Sequence, residues 1–140
     1  MDAGDIRETT RIEFLVLADF AEVVNSKLYL MGGGWDRFAP PNYPAPMRWG
    51  IAVGVRVPWL ESNIPHRISL TLRTEDGVEL FKLDGNVETG RPPGSKGQST
   101  LVQLAVNGQT ELQGPGSFEV IAEIDGDSKR LAITAASTPV

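Results

Sequence analysis

The chain carries few of the side chains that catalysis and metal binding most often use. It has no cysteine and a single histidine, His66, so disulfides, thiol catalysis, thiolate zinc sites and iron–sulfur clusters are excluded. Serine-type hydrolysis needs a hydroxyl, a base and an orienting acid, and the sequence contains no Gly-x-Ser-x-Gly elbow to present the serine. We therefore predict that the protein is not an enzyme, that it has no catalytic residue, and that His66 is an ordinary residue at the start of a strand.

Glycines and acidic residues give two further candidate sites. Gly32–Gly34 comes nearest to a phosphate-binding loop, but a P-loop continues with Gly-Lys-Ser/Thr and a helix, whereas this run continues with Trp35-Asp36. We predict a bulge or a close backbone approach in a strand instead. No cofactor and no metal are predicted. Calcium, which takes six to eight oxygen ligands, stays an alternative at three turns, which contain Asp125 and Asp127, Glu75 and Asp76, and Asp84 and Asn86.

Aromatic residues in the first half of the chain are the other candidates for a binding site. Rigid aromatic side chains can anchor a protein interface or form a platform for a sugar. The proline-rich segment Phe38–Pro46 would present such side chains in an extended, ordered loop. We predict an interface that contains Trp35, Tyr43 and Trp59. Packing in the core, or binding of a carbohydrate, is the alternative for these three side chains.

Composition limits the class of partner. The chain has 140 residues, with 13 Lys and Arg against 18 Asp and Glu, for a net charge of −5. An acidic surface repels phosphate backbones and anionic lipids, so we predict neither a nucleic-acid partner nor a membrane partner. The length fits one domain over residues 1–140, with a flexible N-terminus and C-terminal tail. The start of the sequence lacks the features of a signal peptide, and we expect a cytoplasmic protein.

The elements that must position these side chains are β-strands. Apolar and polar residues alternate with the period of two that is typical of half-buried strands. At Ile12–Val16 both faces are apolar, which indicates a more central strand. Asp-Gly pairs follow two of the strands and predict hairpins. The other alternating segments begin at Ile51, Ile68, Val102, Phe118 and Leu131.

This pattern predicts an all-β fold, a single antiparallel β-sandwich of the immunoglobulin-like type with seven to eight strands. A closed barrel is the alternative. At most one short helical turn is expected, and Asp19–Val24 is its candidate because Asp19 can cap it. Asp84–Ser99 is predicted to be a mobile loop and Asn107–Ser117 a broad turn.

The segment Phe14–Asp36 resembles the opening of a family of small bacterial proteins of unknown function. The resemblance rests on Ala18-Asp19, on Lys27-Leu28 and on the glycines that follow. This sequence has Ser26 where that family often has glycine. The resemblance implies a bacterial source and a single sandwich-like domain, and it implies no activity. Together with the composition, it leads us to predict a non-enzymatic binding or assembly module. Its partner would be another protein or a second copy of the chain, and a small-ligand-binding sandwich is the alternative.

Overall fold

The alternating segments form nine β-strands within residues 9–137, the part of the chain that the computed structural model describes. The predicted flexible N-terminus and most of the predicted C-terminal tail lie outside these residues. The strands are β1 (Arg11–Val24), β2 (Lys27–Gly33), β3 (Arg37–Phe38), β4 (Ala45–Val57), β5 (His66–Thr74), β6 (Glu79–Val87), β7 (Thr100–Leu112), β8 (Gly116–Ile124) and β9 (Asp127–Ala135).

Two sheets pack face to face, which confirms the predicted all-β sandwich. One sheet has the order β2-β1-β4-β7 and the other the order β3-β9-β8-β5-β6. Neighbouring strands are antiparallel except for the two-residue strand β3, which runs parallel to β9. The ninth strand, beyond the predicted seven to eight, is β3, whose two residues are too few to show alternation. Inward-facing aliphatic side chains and Trp49 form the core between the sheets.

The central strand β4 is buried on both of its faces over most of its length. Its outward face carries the small residues Gly50, Ala52 and Gly54, which pair with Ala18, Val16 and Phe14 of β1. A Cβ atom on Gly54 would overlap the ring of Phe14. The small residues of β4 therefore leave room for other parts of the chain to lie over the outside of the sheet.

The predicted helical turn at Asp19–Val24 is wrong. These residues belong to β1, and from Phe20 onward they pair with β2 in regular antiparallel register. Pairing with β2 satisfies the backbone of every second residue, and Asn107 satisfies that of Ala21, whereas one isolated turn leaves most of its groups without partners. Within residues 9–137, the one helical segment is a 3-10 turn at Trp59–Glu61, and no helix there has the length and apolar character of a membrane span.

Two of the predicted loops are shorter than expected. Asp84–Val87 is the end of β6, and the loop that follows is attached to the sandwich by a hydrogen bond from the Asn63 amide to the Thr89 carbonyl, at 2.7 Å. Similarly, Asn107–Leu112 belongs to β7 and leaves only three residues before β8.

Candidate interaction surface

A two-stranded ribbon leaves the plane of the sheet where β1 extends beyond its pairing with β4. That pairing ends at Ala18, whereas β1 continues to Val24 and pairs there with β2. The two strands are joined by Asn25 and Ser26, whose φ angles are 51° and 62°, and asparagine at positive φ is typical of a two-residue hairpin turn. We call the segment Phe20–Met31 the ribbon.

Asn107 of β7 holds the base of the ribbon. Its Oδ1 accepts a hydrogen bond from the Ala21 amide at 2.9 Å, and its Nδ2 donates to the Ala21 carbonyl at 2.7 Å. Gly50 of β4 lies between them, since a Cβ atom there would be 2.7 Å from Asn107 Oδ1 and 2.9 Å from the Ala21 nitrogen. The carboxamide of Asn107 thus replaces the strand pairing that β4 provides as far as Ala18.

The turn of the ribbon is attached to β7 as well. Gln103 Nε2 donates a hydrogen bond to the Ser26 carbonyl at 2.9 Å. Gln103 pairs with Gly54 and Asn107 pairs with Gly50, so both side chains lie on the same outward face of β7. The ribbon therefore crosses over the outside of β4, and two side chains of β7 fix its position.

Large apolar side chains of the ribbon are exposed to solvent, four of them on one face and Leu30 on the other. Five of the exposed large hydrophobic residues of the described chain lie here, which is a concentration typical of an interaction site. Residues on β1 and β2 that pair with each other share a face, so Phe20 lies beside Met31, while Leu30 lies on the opposite face. The exposed fractions are 42% for Phe20, 41% for Val24, 54% for Tyr29, 39% for Leu30 and 67% for Met31.

The outer edge of β2 presents free backbone groups. In an antiparallel pair, opposed residues alternate between exchanging two hydrogen bonds and exchanging none. Ala21 gives its amide and carbonyl to Asn107, so the polar groups of its partner Leu30, and of Leu28 two residues away, face outward. Within residues 9–137, no third strand pairs with β2. Its only charged residue is Lys27, so the edge carries little of the protection that natural edge strands have.

The predicted interface residue Trp35 lies at the seam between the two sheets. It packs against the hydrophobic core and lines a hollow of about 390 Å³ between β1 and β9. Its indole nitrogen is buried and has no hydrogen-bond partner among the described residues. The side chain is therefore partly a core residue, as the alternative prediction had it.

Tyr43 and Trp59 lie at opposite ends of β4. Tyr43 comes just before the strand, and its hydroxyl donates to the Ala136 carbonyl at 2.8 Å. Trp59 comes just after the strand, and the guanidinium of Arg91 covers its ring at 3.8 Å. The 13 residues of β4 separate the two by about 40 Å. Trp35, Tyr43 and Trp59 therefore do not share one surface, and an interface role for each stays a prediction.

The single histidine ties three elements together. His66 is 5% exposed; its Nδ1 lies 2.5 Å from Asp125 Oδ2 and its Nε2 lies 2.8 Å from the Glu61 carbonyl oxygen. Because both partners are acceptors, the protonated ring can donate to both. Burial alone would lower the pKa of His66, but the Glu61 carbonyl and the Asp125 carboxylate favour the charged ring and raise its pKa above the ordinary value of 6.5.

The carboxylates around His66 also have hydrogen-bond partners. The Thr10 hydroxyl donates to Glu61 Oε1 at 2.7 Å and, with the Thr10 amide, holds the pKa of Glu61 below its ordinary value although partial burial opposes this. The ligand atoms of Glu61, His66 and Asp125 lie within 4.8 Å of one another, which is close enough for one metal ion to contact all three. Both ring nitrogens of His66 are already hydrogen-bonded, so the geometry favours a structural clamp.

We expect the clamp to make stability depend on pH. A raised pKa in the folded state means that His66 stabilises the protein fully below about pH 6.5 and that this contribution is lost as the pH rises through the raised pKa. Urea unfolding between pH 5.5 and 9 should therefore show falling stability, and His66→Gln should remove that slope. His66 is the only histidine, so an unchanged slope in the variant would contradict the assignment.

Of the acidic turns considered for calcium, those at Glu75 and Asp125 do not converge. Asp125 bonds His66, and Asp127 Oδ2 accepts from the Ile12 amide at 2.8 Å, so both acids of this turn join strands. The turn at Glu75 is hydrogen-bonded to Ser117 at the start of β8, whereas Asp125 follows the end of β8. These two turns therefore lie at opposite ends of the sheet and cannot supply one set of ligands.

Sequence reasoning missed the ribbon as an interaction element. The run Leu28–Met31 is apolar without alternation, which is typical of a buried strand, and it is exposed here. Asn25-Ser26 is a possible hairpin signal, but it directly follows Asp19–Val24, which we predicted to be a helical turn. No local signal in the sequence indicates the contact with Asn107, which lies more than 80 residues away along the chain.

Three comparisons relate the chain to known proteins. One protein-family model matches residues 13–134. A search of the curated proteins finds no match. Among solved structures, the chain is similar to a superoxide reductase (neelaredoxin) from Ignicoccus hospitalis, with 15% identity and a TM-score of 0.40 over 96% of this chain and 88% of that chain. Similarity at this level says nothing about the activity of this chain.

Proposed function

The chain belongs to DUF6941, a family of unknown function, and we propose that it is a non-enzymatic binding or assembly module that acts through protein–protein contacts of the ribbon. The observation that carries this proposal is an edge strand with exposed apolar side chains, Met31 at 67% and Tyr29 at 54% on one face and Leu30 at 39% on the other. Natural proteins cover or charge such edges, because free backbone groups and apolar side chains together invite pairing with another strand.

The attachment of the ribbon supports a binding role. Asn107 and Gln103 fix its base and its turn, so little conformational entropy is lost when a partner binds. An added strand would gain backbone hydrogen bonds along β2, with side-chain contacts on both faces. A cytoplasmic location and a bacterial source stay predictions from the sequence.

The alternative of a small-ligand-binding sandwich has less support. A sugar platform needs an open aromatic face, but Arg91 covers the ring of Trp59, and Trp35 and Tyr43 pack against the hydrophobic core. Of the acids considered for calcium, Glu75 lies at the opposite end of the sheet from Asp125, and Asp125 and Asp127 are engaged in other contacts.

Affinity capture from an extract of the source organism tests the proposal. The baits are the wild-type chain, Met31→Glu on the ribbon, and Leu60→Glu as a matched control, because Leu60 is 72% exposed and lies outside the ribbon. We expect proteins captured by the wild-type and control baits, the chain itself included, to fall at least tenfold with Met31→Glu. Capture that survives Met31→Glu but is lost on replacing Trp35, Tyr43 or Trp59 with Ala would transfer the interface to those aromatic residues.

A further inference from the structure

We propose that the partner of the ribbon is a second copy of this chain, and that the two β2 strands pair antiparallel about a two-fold axis at Leu30. This inference rests on the proposed function and names the partner. Two-fold pairing of identical patches is the commonest way in which soluble proteins assemble. The result is a four-stranded sheet in the order β1-β2-β2-β1 across the two copies.

The backbone of β2 fits this register. The amide and carbonyl of Leu30 face the open edge, because its partner Ala21 directs its own polar groups to Asn107. Leu30 of one copy can therefore exchange two hydrogen bonds with Leu30 of the second copy. Leu28 faces the same edge, but the residue opposite it, Gly32 of the second copy, has a φ of 61°, so regular pairing is centred on Leu30 and ends there.

The side chains of β2 are self-complementary in this register. Tyr29 lies opposite Met31 of the second copy. By symmetry, Met31 lies opposite Tyr29 of the second copy, on the same face of the sheet. Thioether sulfur beside an aromatic ring is a favourable contact, and these two are the most exposed apolar side chains of the ribbon. Phe20, which pairs with Met31 within one chain, extends the same apolar row.

The charges of the ribbon do not oppose this pairing. Lys27, the only charged residue of β2, lies opposite Gly33 of the second copy, so the two lysines are at opposite ends of the paired strands. Glu22 pairs with Tyr29 of its own chain. On the other side of Tyr29, in the same row, lies Met31 of the second copy, which is uncharged. No two like charges face each other, and like charges directly opposite would be unfavourable.

The other edge of this sheet, β7, is the weaker candidate for self-pairing. Its apolar residues Val102, Leu104 and Val106 are already half-buried against the core, so pairing would remove less apolar area from water. On its outward face, Gln103 and Asn107 are engaged with the ribbon. The exposed apolar surface is concentrated on β2.

Thiol cross-linking tests the register directly, because the chain has no cysteine of its own. Leu30→Cys is treated with a short bismaleimide, and Leu60→Cys is the matched control at a more exposed position. We expect most of the Leu30→Cys protein and little of the control to become covalent dimer. Adding Met31→Glu to Leu30→Cys should reduce the dimer at least tenfold. Equal cross-linking of the two single variants overturns the proposal.

Amide hydrogen exchange of the unmodified chain is the second test and needs no variant. We expect the Leu30 amide to be protected at high protein concentration and to lose that protection on dilution. Exchange that does not depend on concentration overturns pairing with a second copy. If extract proteins still require Met31 for capture, the proposed function stands without self-pairing; if neither result is obtained, both proposals fail.

Discussion

Replacing Gly50 with valine is expected to lower the free energy of unfolding by about 3 kcal/mol. The new Cβ atom would be 2.9 Å from the Ala21 nitrogen and 2.7 Å from Asn107 Oδ1. The first of these belongs to the backbone of β1, so the ribbon has to move, and the two hydrogen bonds between Asn107 and Ala21 are lost with it. Urea unfolding followed by circular dichroism measures the change.

Gly90→Val is the matched control, because a Cβ atom at Gly90 has no neighbour within 4 Å; we expect it to change stability by less than about 0.5 kcal/mol. Asn107→Ala should also destabilise the chain, by about 2 kcal/mol, because it leaves the polar groups of Ala21 without partners. The variant that combines Gly50→Val with Asn107→Ala should lose less free energy of unfolding than the sum of the two single losses, since both changes act on the same contact. Additive losses would contradict our description of how the ribbon is attached.

Met31→Glu is expected to raise the dissociation constant of the dimer about 100-fold. A two-fold dimer contains the substitution twice, and each loss at a buried interface position corresponds to about 1.4 kcal/mol, or a factor of ten. Because Met31 is 67% exposed in one chain, its replacement should leave the unfolding temperature of the monomer nearly unchanged. Sedimentation equilibrium over a range of concentrations gives the dissociation constant.

Two further variants separate the interface from general surface effects. Met31→Leu keeps the apolar contact and should bind within about threefold of the wild type. Leu60→Glu adds the same charge at an exposed site outside the ribbon and should leave association unchanged. Equal weakening by Leu60→Glu and Met31→Glu would show that net charge, and not the ribbon, controls association.

The sandwich could be predicted from the sequence because its strands obey a local rule. Strands with one buried face alternate apolar and polar residues, as in Ile68–Leu72, which lies within β5. The Asp-Gly turns at Asp76 and Asp125 join β5 to β6 and β8 to β9 as predicted. The central place of β1 followed from its two apolar faces and is confirmed by its position between β2 and β4.

The ribbon could not be predicted because it depends on contacts between distant parts of the chain. Asp19–Val24 has no clear strand alternation, and its conformation is set by β2 on one side and by Asn107 on the other. The space that it occupies exists because Gly50 lacks a side chain. The hydrogen bond between His66 and Asp125 could not be predicted either, because Asp125 lies 59 residues further along the chain.

Size-exclusion chromatography with light scattering on the wild-type chain and on Met31→Glu tests the central claim most directly. We expect the wild type to elute with twice the 15.2 kDa of one chain, and Met31→Glu to elute as a folded monomer at the same concentration. A wild-type monomer, or a dimer that Met31→Glu leaves unchanged, would contradict assembly through the ribbon.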